Sequence, residues 1–241
     1  MRLKEKLNMT KRIFITGTDT EIGKTKVASL VLSTFPYQAV NHGWKPIAAG
    51  CERAENGPWV NEDALILQAA SNSKLDYLWV NPIALKAAIA PHIAAQREQV
   101  PLSVSLLQEH FNKLPSHIDH LVIEGAGGWL LPLNNEETMA DWVSENNLAV
   151  LLVVGMRLGC LNHALLTWQD MKARGINCVG WVANSPEATP MNEYQANLDY
   201  LVQALPMPLL AEVPFFTCAE QEHQWLQQHA QFGEQLLQVC S

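Results

Sequence analysis

The sequence predicts a doubly wound α/β fold, a mostly parallel sheet with helices on both faces. Short apolar runs rich in Val, Leu and Ile alternate with helical stretches along the 241 residues. The runs lack polar alternation, so both their faces are buried, which is the mark of parallel strands joined by right-handed crossovers. The unusual polar residues fall just after these runs, at the carboxyl ends of strands where such sheets bind ligands.

RIFIT, residues 12–16, reads as the first buried strand, and residues 24–34 read as the helix after it. GWKPIAAG, residues 43–50, places Lys45 before a proline at the end of a further strand. Residues 61–70, NEDALILQAA, open a helix with Asp63 in its first turn. An amphipathic stretch at 103–114 precedes a strand at 119–125, DHLVIEG. AVLLVVG at 149–155 is the next strand, followed by a helix from about 162 to 174. NCVGWVANS at 177–185 is another, with a helix over 192–204. PLLAEVP at 208–214 is the last, and a Gln-rich helix runs from there to the C-terminus. No repeat, low-complexity tract or linker interrupts this order. Residues 9–241 are expected to form one domain, with residues 1–8 a disordered extension ahead of Met9.

Composition narrows the function. Hydrophobic residues make up 48% and charged residues 17%, ordinary values for a globular chain. A net charge of −8 argues against a nucleic-acid surface, which needs a basic stripe. The five cysteines, Cys51, Cys160, Cys178, Cys218 and Cys240, are scattered and never form C-x-x-C. That pattern suits reduced thiols in the cytoplasm. LAVLLVV, residues 148–154, is far too short to span a bilayer, and the N-terminal stretch lacks the apolar segment of a signal peptide. No membrane association is expected.

The chemistry begins at GTDTEIGKT, residues 17–25, between the first strand and its helix. Backbone N–H groups of such a loop form a concave anion site, and the helix N-terminus adds a positive dipole end. Lys24 can reach the β- and γ-phosphates, and the Thr25 hydroxyl can ligate Mg²⁺. The pattern G-x-x-x-x-G-K-[ST] is met imperfectly, since its first position falls on Thr18 and the glycine lies one earlier, at Gly17. Glu124 ends an apolar strand and is followed by Gly125, Gly127 and Gly128, which allow close backbone approach. It reads as a metal carboxylate or as an acid capping the next turn. Asp63 reads as a third metal ligand or as an acid complementing its helix dipole. Thr25, Asp63 and Glu124, with nucleotide oxygens and water, would suit Mg²⁺. Lys45 is either a solvated surface charge or the group that stabilises a transferring phosphoryl. The residues alone therefore define a Mg-nucleotide enzyme or switch of the P-loop NTPase type.

FITGTDTEIGKT, GWKPIAAG, NEDAL, VIEGAGGW, VVGMRLGCLNHALLT and GWVANS, in this order and spacing, resemble dethiobiotin synthetase. The likeness runs over residues 10–216. It implies ATP-dependent closure of a cyclic urea from 7,8-diaminononanoate and CO₂. One amine forms a carbamate, the carbamate takes the γ-phosphoryl of ATP, and the second amine expels phosphate. Lys24 and Lys45 are then the catalytic cations. The resemblance assigns ATP contacts to Glu21, Ile22, Gly23, Lys24, Thr25 and Lys26 in the loop. It extends them to Asp63, Glu124, Gly125, Ala126 and Gly127, to Asn184 and Ser185, and to Pro214, Phe215 and Phe216. Thr25, Asp63 and Glu124 inherit the Mg²⁺ role. Thr20, Lys45, Asn162 and Tyr194 inherit substrate contacts, with Tyr194 contributed across a homodimer interface. Two positions depart from the family pattern: Ala49 stands where a serine is common, and Gln221 stands where an acid is common, with Glu220 and Glu222 beside it. His92 is assigned no role.

Other classes fit less well. A partitioning-type switch ATPase carries a further lysine at the loop opening, where this chain has Gly17-Thr18. A GTPase needs an N-K-x-D motif, absent here. A cobalamin-pathway amidase needs a second, cysteine-bearing domain for which the chain has no room. A non-enzymatic binding module would not need Lys24, Thr25, Lys45 and Glu124 all in place.

Overall fold

The computed structural model describes residues 10–55 and 57–239. The expected extension at 1–8, Met9 and Cys240 lie outside the described residues.

Strand β1 (Lys11–Gly17) leads into helix α1 (Lys24–Thr34) and then β2 (Asn41–Trp44), β3 (Ile47–Ala48), β4 (Glu52–Arg53) and β5 (Trp59–Val60). Next come α2 (Glu62–Ala70), α3 (Tyr77–Val80), β6 (Ile83–Ala84), α4 (Pro91–Arg97) and α5 (Val104–Asn112). The chain continues through β7 (His120–Glu124), α6 (Met139–Glu145), β8 (Ala149–Gly155) and α7 (Cys160–Ala173). It closes with β9 (Cys178–Asn184), α8 (Tyr194–Ala204), β10 (Leu209–Val213), α9 (Ala219–Gln228) and α10 (Phe232–Val239).

Six strands form one sheet in the order β10-β9-β8-β1-β7-β2, and every pairing in it is parallel. β1 lies between β7 and β8, with Ile13 opposite Val122 on one side and Ala149 on the other. Because side chains alternate across a strand, successive residues feed two separate cores. Ile13, Ile15, Val122, Leu151 and Val153 face α1, α2 and the C-terminal helices. Phe14, Ile123, Val150, Leu152 and Val154 face α5, α6, α7 and α8. The second core is closed by aromatic rings: Phe111 meets Trp142 edge-on at 5.2 Å, and Trp142 meets Phe14 at 6.4 Å. Such pairs contribute about 0.5–1.5 kcal/mol each beyond the area they bury.

β2 shows why hydropathy alone understates an edge strand. Its sequence is NHGW, yet all four residues are buried. Asn41 donates through Nδ2 to Pro36 O at 3.1 Å and bonds the His120 ring at 2.8 Å. The His42 ring bonds Ser73 Oγ at 2.8 Å and donates from Nε2 to Trp79 O at 3.1 Å. Burial, the largest influence, lowers the His42 pKa. These polar groups are satisfied inside the protein, so their burial carries no desolvation penalty left unanswered.

One expectation is corrected. The Gln-rich tail is two helices, α9 and α10, joined by a turn at residues 229–231. The turn lets Trp225 stack on His229 at 4.1 Å while Phe232 meets Trp225 edge-on at 6.0 Å, with Trp225 and Phe232 inside the α1-side core. Gly233 then brings α10 against α1, where an added Cβ would lie 2.9 Å from the Thr34 backbone. The short pairs β3-β6 and β4-β5 were also invisible in the hydropathy pattern.

Candidate active site

The chain order changes direction between β1 and β8, since the connection from β1 runs toward β2 and that from β8 toward β9. A crevice opens at such a switch point. The loop at 18–23 fills its base. Thr18 N donates to Val153 O at 3.0 Å, tying the loop to β8. Ile22 plugs the seam beneath it, and a Cβ at Gly17 or Gly155 would lie 2.6 or 2.5 Å from its side chain. Glu21 (φ 56°) and Gly23 (φ 87°) take left-handed conformations, which turn successive N–H groups toward one concavity. α1 starts at Lys24, so its unpaired N–H groups face the same space.

Lys24 is 6% exposed, and its Nζ donates to Asp19 O at 2.6 Å. Burial pushes its pKa down to about 8 against the opposing pull of Glu124. Asp19 is anchored in turn, accepting from Thr20 N at 2.8 Å and pairing with Arg157 at 2.6 Å.

At the ends of β2 and β7, Lys45 and Glu124 meet. Lys45 Nζ lies 2.7 Å from Glu124 Oε1 and 3.1 Å from Asp63 Oδ2, while Lys45 and Glu124 are 4% and 1% exposed. Burial acts to lower the Lys45 pKa, but Glu124 and then Asp63 outweigh it and raise it above the ordinary lysine value. Lys45 is therefore no solvated surface charge. Thr25 Oγ1 donates to Glu124 Oε1 at 2.8 Å. Asn61 caps α2, its side chain accepting from Ala64 N, which sets Asp63 at the mouth of the site.

Lys24, Thr25, Lys45, Asn61 and Asp63 border one cavity of about 1250 Å³. Of the expected residues, Thr20, Glu21, Gly23, Lys24, Thr25, Lys26, Lys45, Asp63, Ala126 and Gly127 line it. So do Asn184, Ser185, Pro214, Phe215 and Phe216. Ile22 and Glu124 are buried behind the wall, and Gly125 follows Glu124 there, its N–H donating to Ile15 O at 2.9 Å. Asn184 is buried at the end of β9, and its Nδ2 donates to Ile22 O at 2.8 Å, which ties the phosphate loop to that strand. Asn162 is exposed on α7, and the Tyr194 hydroxyl donates to Glu212 Oε2 at 3.0 Å; neither lines the cavity of the single chain.

Hydropathy reading missed several lining groups. Ala88, Ile89 and Ala90 before α4, and Leu130 and Leu131 after the glycine loop, add an apolar wall. Glu222 lines the cavity too, pairing with Lys26 at 2.9 Å. Gln221 is committed elsewhere, its Oε1 accepting from Thr217 N and Oγ1 at 2.9 and 3.0 Å. These contacts join segments far apart in sequence, so local pattern carried no signal for them. Ala49 also lines the cavity, so the missing hydroxyl falls on the wall itself.

The donor set suits a hard divalent cation. Glu124 Oε2 is buried without a hydrogen-bond partner, beside a threonine hydroxyl and a second carboxylate. Among the described residues no group of three or more His, Cys, Asp or Glu is arranged to hold a metal ion by itself. Mg²⁺ is commonly held by one or two carboxylates with phosphate oxygens and water, which this set matches.

A strand, a concave loop and a helix N-terminus wrapped around a buried lysine define the class, a phosphate-loop nucleotide-binding protein. The family model described as an AAA domain matches residues 11–222. The chain is 47% identical over 209 residues to the ATP-dependent dethiobiotin synthetase BioD of Pseudoalteromonas translucida, across 85% of this chain and 90% of that one. It is 49% identical over 222 residues to the enzyme of the same name from Alteromonas mediterranea, across 87% and 94%. The chain belongs to the dethiobiotin synthetase family. Among solved structures it is similar to a ParA family ATPase from Chlorobium tepidum, with a TM-score of 0.53, 15% identity, and 97% and 98% of the two chains covered. That likeness concerns the fold.

Proposed function

We propose that this chain is an ATP-dependent dethiobiotin synthetase, a C–N bond-forming ligase of biotin biosynthesis. It closes a cyclic urea from 7,8-diaminononanoate and CO₂, giving dethiobiotin, ADP and phosphate. The observation that carries the reading is the pair of buried lysines, Lys24 and Lys45, facing one cavity from the phosphate loop and from the end of β2.

The chemistry asks for that arrangement. One amine adds to CO₂ and loses a proton, leaving a carbamate. A carbamate oxygen attacks the γ-phosphorus and ADP departs, giving a carbamic–phosphoric anhydride. The second amine attacks the carbonyl carbon, expels phosphate and loses its proton. Carbamate and triphosphate are both anions, so fixed positive charge must hold them together. Lys24, released from the Asp19 carbonyl, meets the β- and γ-phosphates. Lys45, held in its charged form by Glu124 and Asp63, is placed to bridge the carbamate and the phosphoryl group. Thr25, Asp63 and Glu124 would hold Mg²⁺, which when bound neutralises phosphate charge. Asn184, with Ser185 and the 214–216 segment, is placed to take the base, its amide offering both donor and acceptor. Thr20, on the cavity wall, would contact the diamine.

Asn162 and Tyr194 fit as substrate contacts across a homodimer interface. Leu158 and Leu166, 95% and 58% exposed on either side of Asn162, support burial of that face by a second copy. Residues 9–241 are taken as one domain because both cores share one sheet. A cytoplasmic setting agrees with the free thiols of Cys51, Cys160, Cys178 and Cys218. Among the described residues no helix is long and apolar enough to cross a membrane.

The test is ADP release from Mg-ATP with bicarbonate, with and without 7,8-diaminononanoate, with the product mass measured. Diamine-dependent ADP with the mass of one added carbonyl is expected. ADP release indifferent to diamine would replace this reading with a switch ATPase.

A further inference from the structure

We infer that Tyr77 and Asn81, neither of which lines the cavity, are positioning residues that hold Lys45 and Asp63 in a fixed mutual register. The inference rests on the ligase reading and deepens it.

The contacts form a closed circuit. Both backbone polar groups of Lys45 are held from the end of α3: its N–H donates to Val80 O at 2.8 Å, and its carbonyl accepts from Asn81 Nδ2 at 2.7 Å. Asn81 is fully buried, and its Oδ1 accepts from the Tyr77 hydroxyl at 3.1 Å. That hydroxyl oxygen in turn accepts from Asn61 N at 2.8 Å. Asn61 is the cap of α2, and two residues later Asp63 reaches back to Lys45 Nζ at 3.1 Å. Lys45 and Asp63 are thus joined twice, once side chain to side chain and once through hydrogen bonds that run from the Lys45 carbonyl to the Asn61 backbone.

This second link matters because the direct one is exposed. The Asp63 side chain is 44% accessible, and water competes for its pairing with Lys45. The Tyr77–Asn81 link lies inside, where hydrogen bonds are stronger and an unpaired group is costly. Pro46 follows Lys45 and has no N–H, but its carbonyl accepts from Ile83 N at 3.2 Å, so the chain just past Lys45 is held from the same segment. Burial raises the Tyr77 pKa, which keeps the phenol protonated and able to donate to Asn81.

Tyr77→Phe in the full chain removes the hydroxyl and keeps the ring. Diamine-dependent kcat is expected to fall about tenfold, with KM for ATP within about twofold, because phosphate binding at α1 is untouched. Asn81→Asp, which keeps the acceptor for Tyr77 and loses the donor to Lys45, is expected to give the same kcat-against-KM split. Wild-type kcat in a folded Tyr77→Phe protein would overturn the inference. Loss of folding in both variants would also overturn it, making the pair structural. A wild-type chain without diamine-dependent turnover would instead sink the functional reading on which it stands.

Discussion

Lys45 and Glu124 form a buried ion pair across neighbouring strands, Nζ to Oε1 at 2.7 Å, and neither side chain is more than 5% accessible. A buried pair of this kind is weak evidence of stabilisation, because desolvating two charges offsets much of their attraction. Its retention at the cavity wall points to use. The pair keeps a cation fixed at the cavity wall, with the Thr25 hydroxyl donating to the same carboxylate.

Lys45→Met is expected to abolish turnover while leaving ATP binding within a few-fold, as read by calorimetric titration. It also strands Glu124 as an unpaired buried charge, a loss of about 3–5 kcal/mol in stability. Adding Glu124→Gln is expected to restore much of the thermal midpoint and none of the turnover. Unchanged turnover in Lys45→Met would remove Lys45 from the catalytic roles.

Thr25→Val keeps the side-chain volume and removes the donor to Glu124. The Mg²⁺ concentration for half-maximal activity is expected to rise about tenfold, with Thr25→Ser close to wild type. A Mg²⁺ titration curve identical to wild type would exclude the hydroxyl from the metal site.

Lys24 gives a pH signature. Its pKa is near 8 in the free chain and ordinary, 10.5, when unfolded, so between those values the unfolded state binds more protons. Its contribution to stability therefore rises as pH climbs through that window. A triphosphate favours the charged lysine, so binding at about pH 8.5 is expected to take up a proton. ATP affinity is expected to fall as pH rises above about 8. Calorimetry in buffers of differing ionisation enthalpy reads the proton directly, and buffer-independent heat would contradict the assignment.

Gly23→Ala tests the loop. The residue sits at φ 87°, and an added Cβ would lie 2.2 Å from Asn184 Nδ2. A strained backbone and a displaced asparagine act together, so ATP affinity is expected to drop at least about a hundredfold with the two cores intact. Asn184→Ala removes the clash and leaves the strain, and is expected not to rescue it.

Much of the sheet was legible from the chain alone. β1, β7, β8 and β9 are apolar runs, and burial on both faces is what makes such a run continuous, while β10 is an edge strand with Glu212 exposed. The α1 bounds follow from Gly-Lys-Thr opening the helix. β2 was barely legible because Asn41 and His42 are buried by hydrogen bonds, which hydropathy does not register. The break between α9 and α10 was missed because its cause is the shared burial of Trp225 and Phe232.

By itself, the sequence determined the glycine-containing loop of phosphate-binding type, the strands that carry it and the family to which its motifs belong. Each of these is written in local spacing, through backbone conformation and side-chain period. Only the tertiary structure decided that Lys45, Asp63 and Glu124 touch, that Glu222 and not Gln221 faces the cavity, and that Tyr77 and Asn81 stand behind the site. Those relations join residues from far-separated segments, as Lys26 and Glu222 are, and they are set by sheet order and packing rather than by neighbours in the chain.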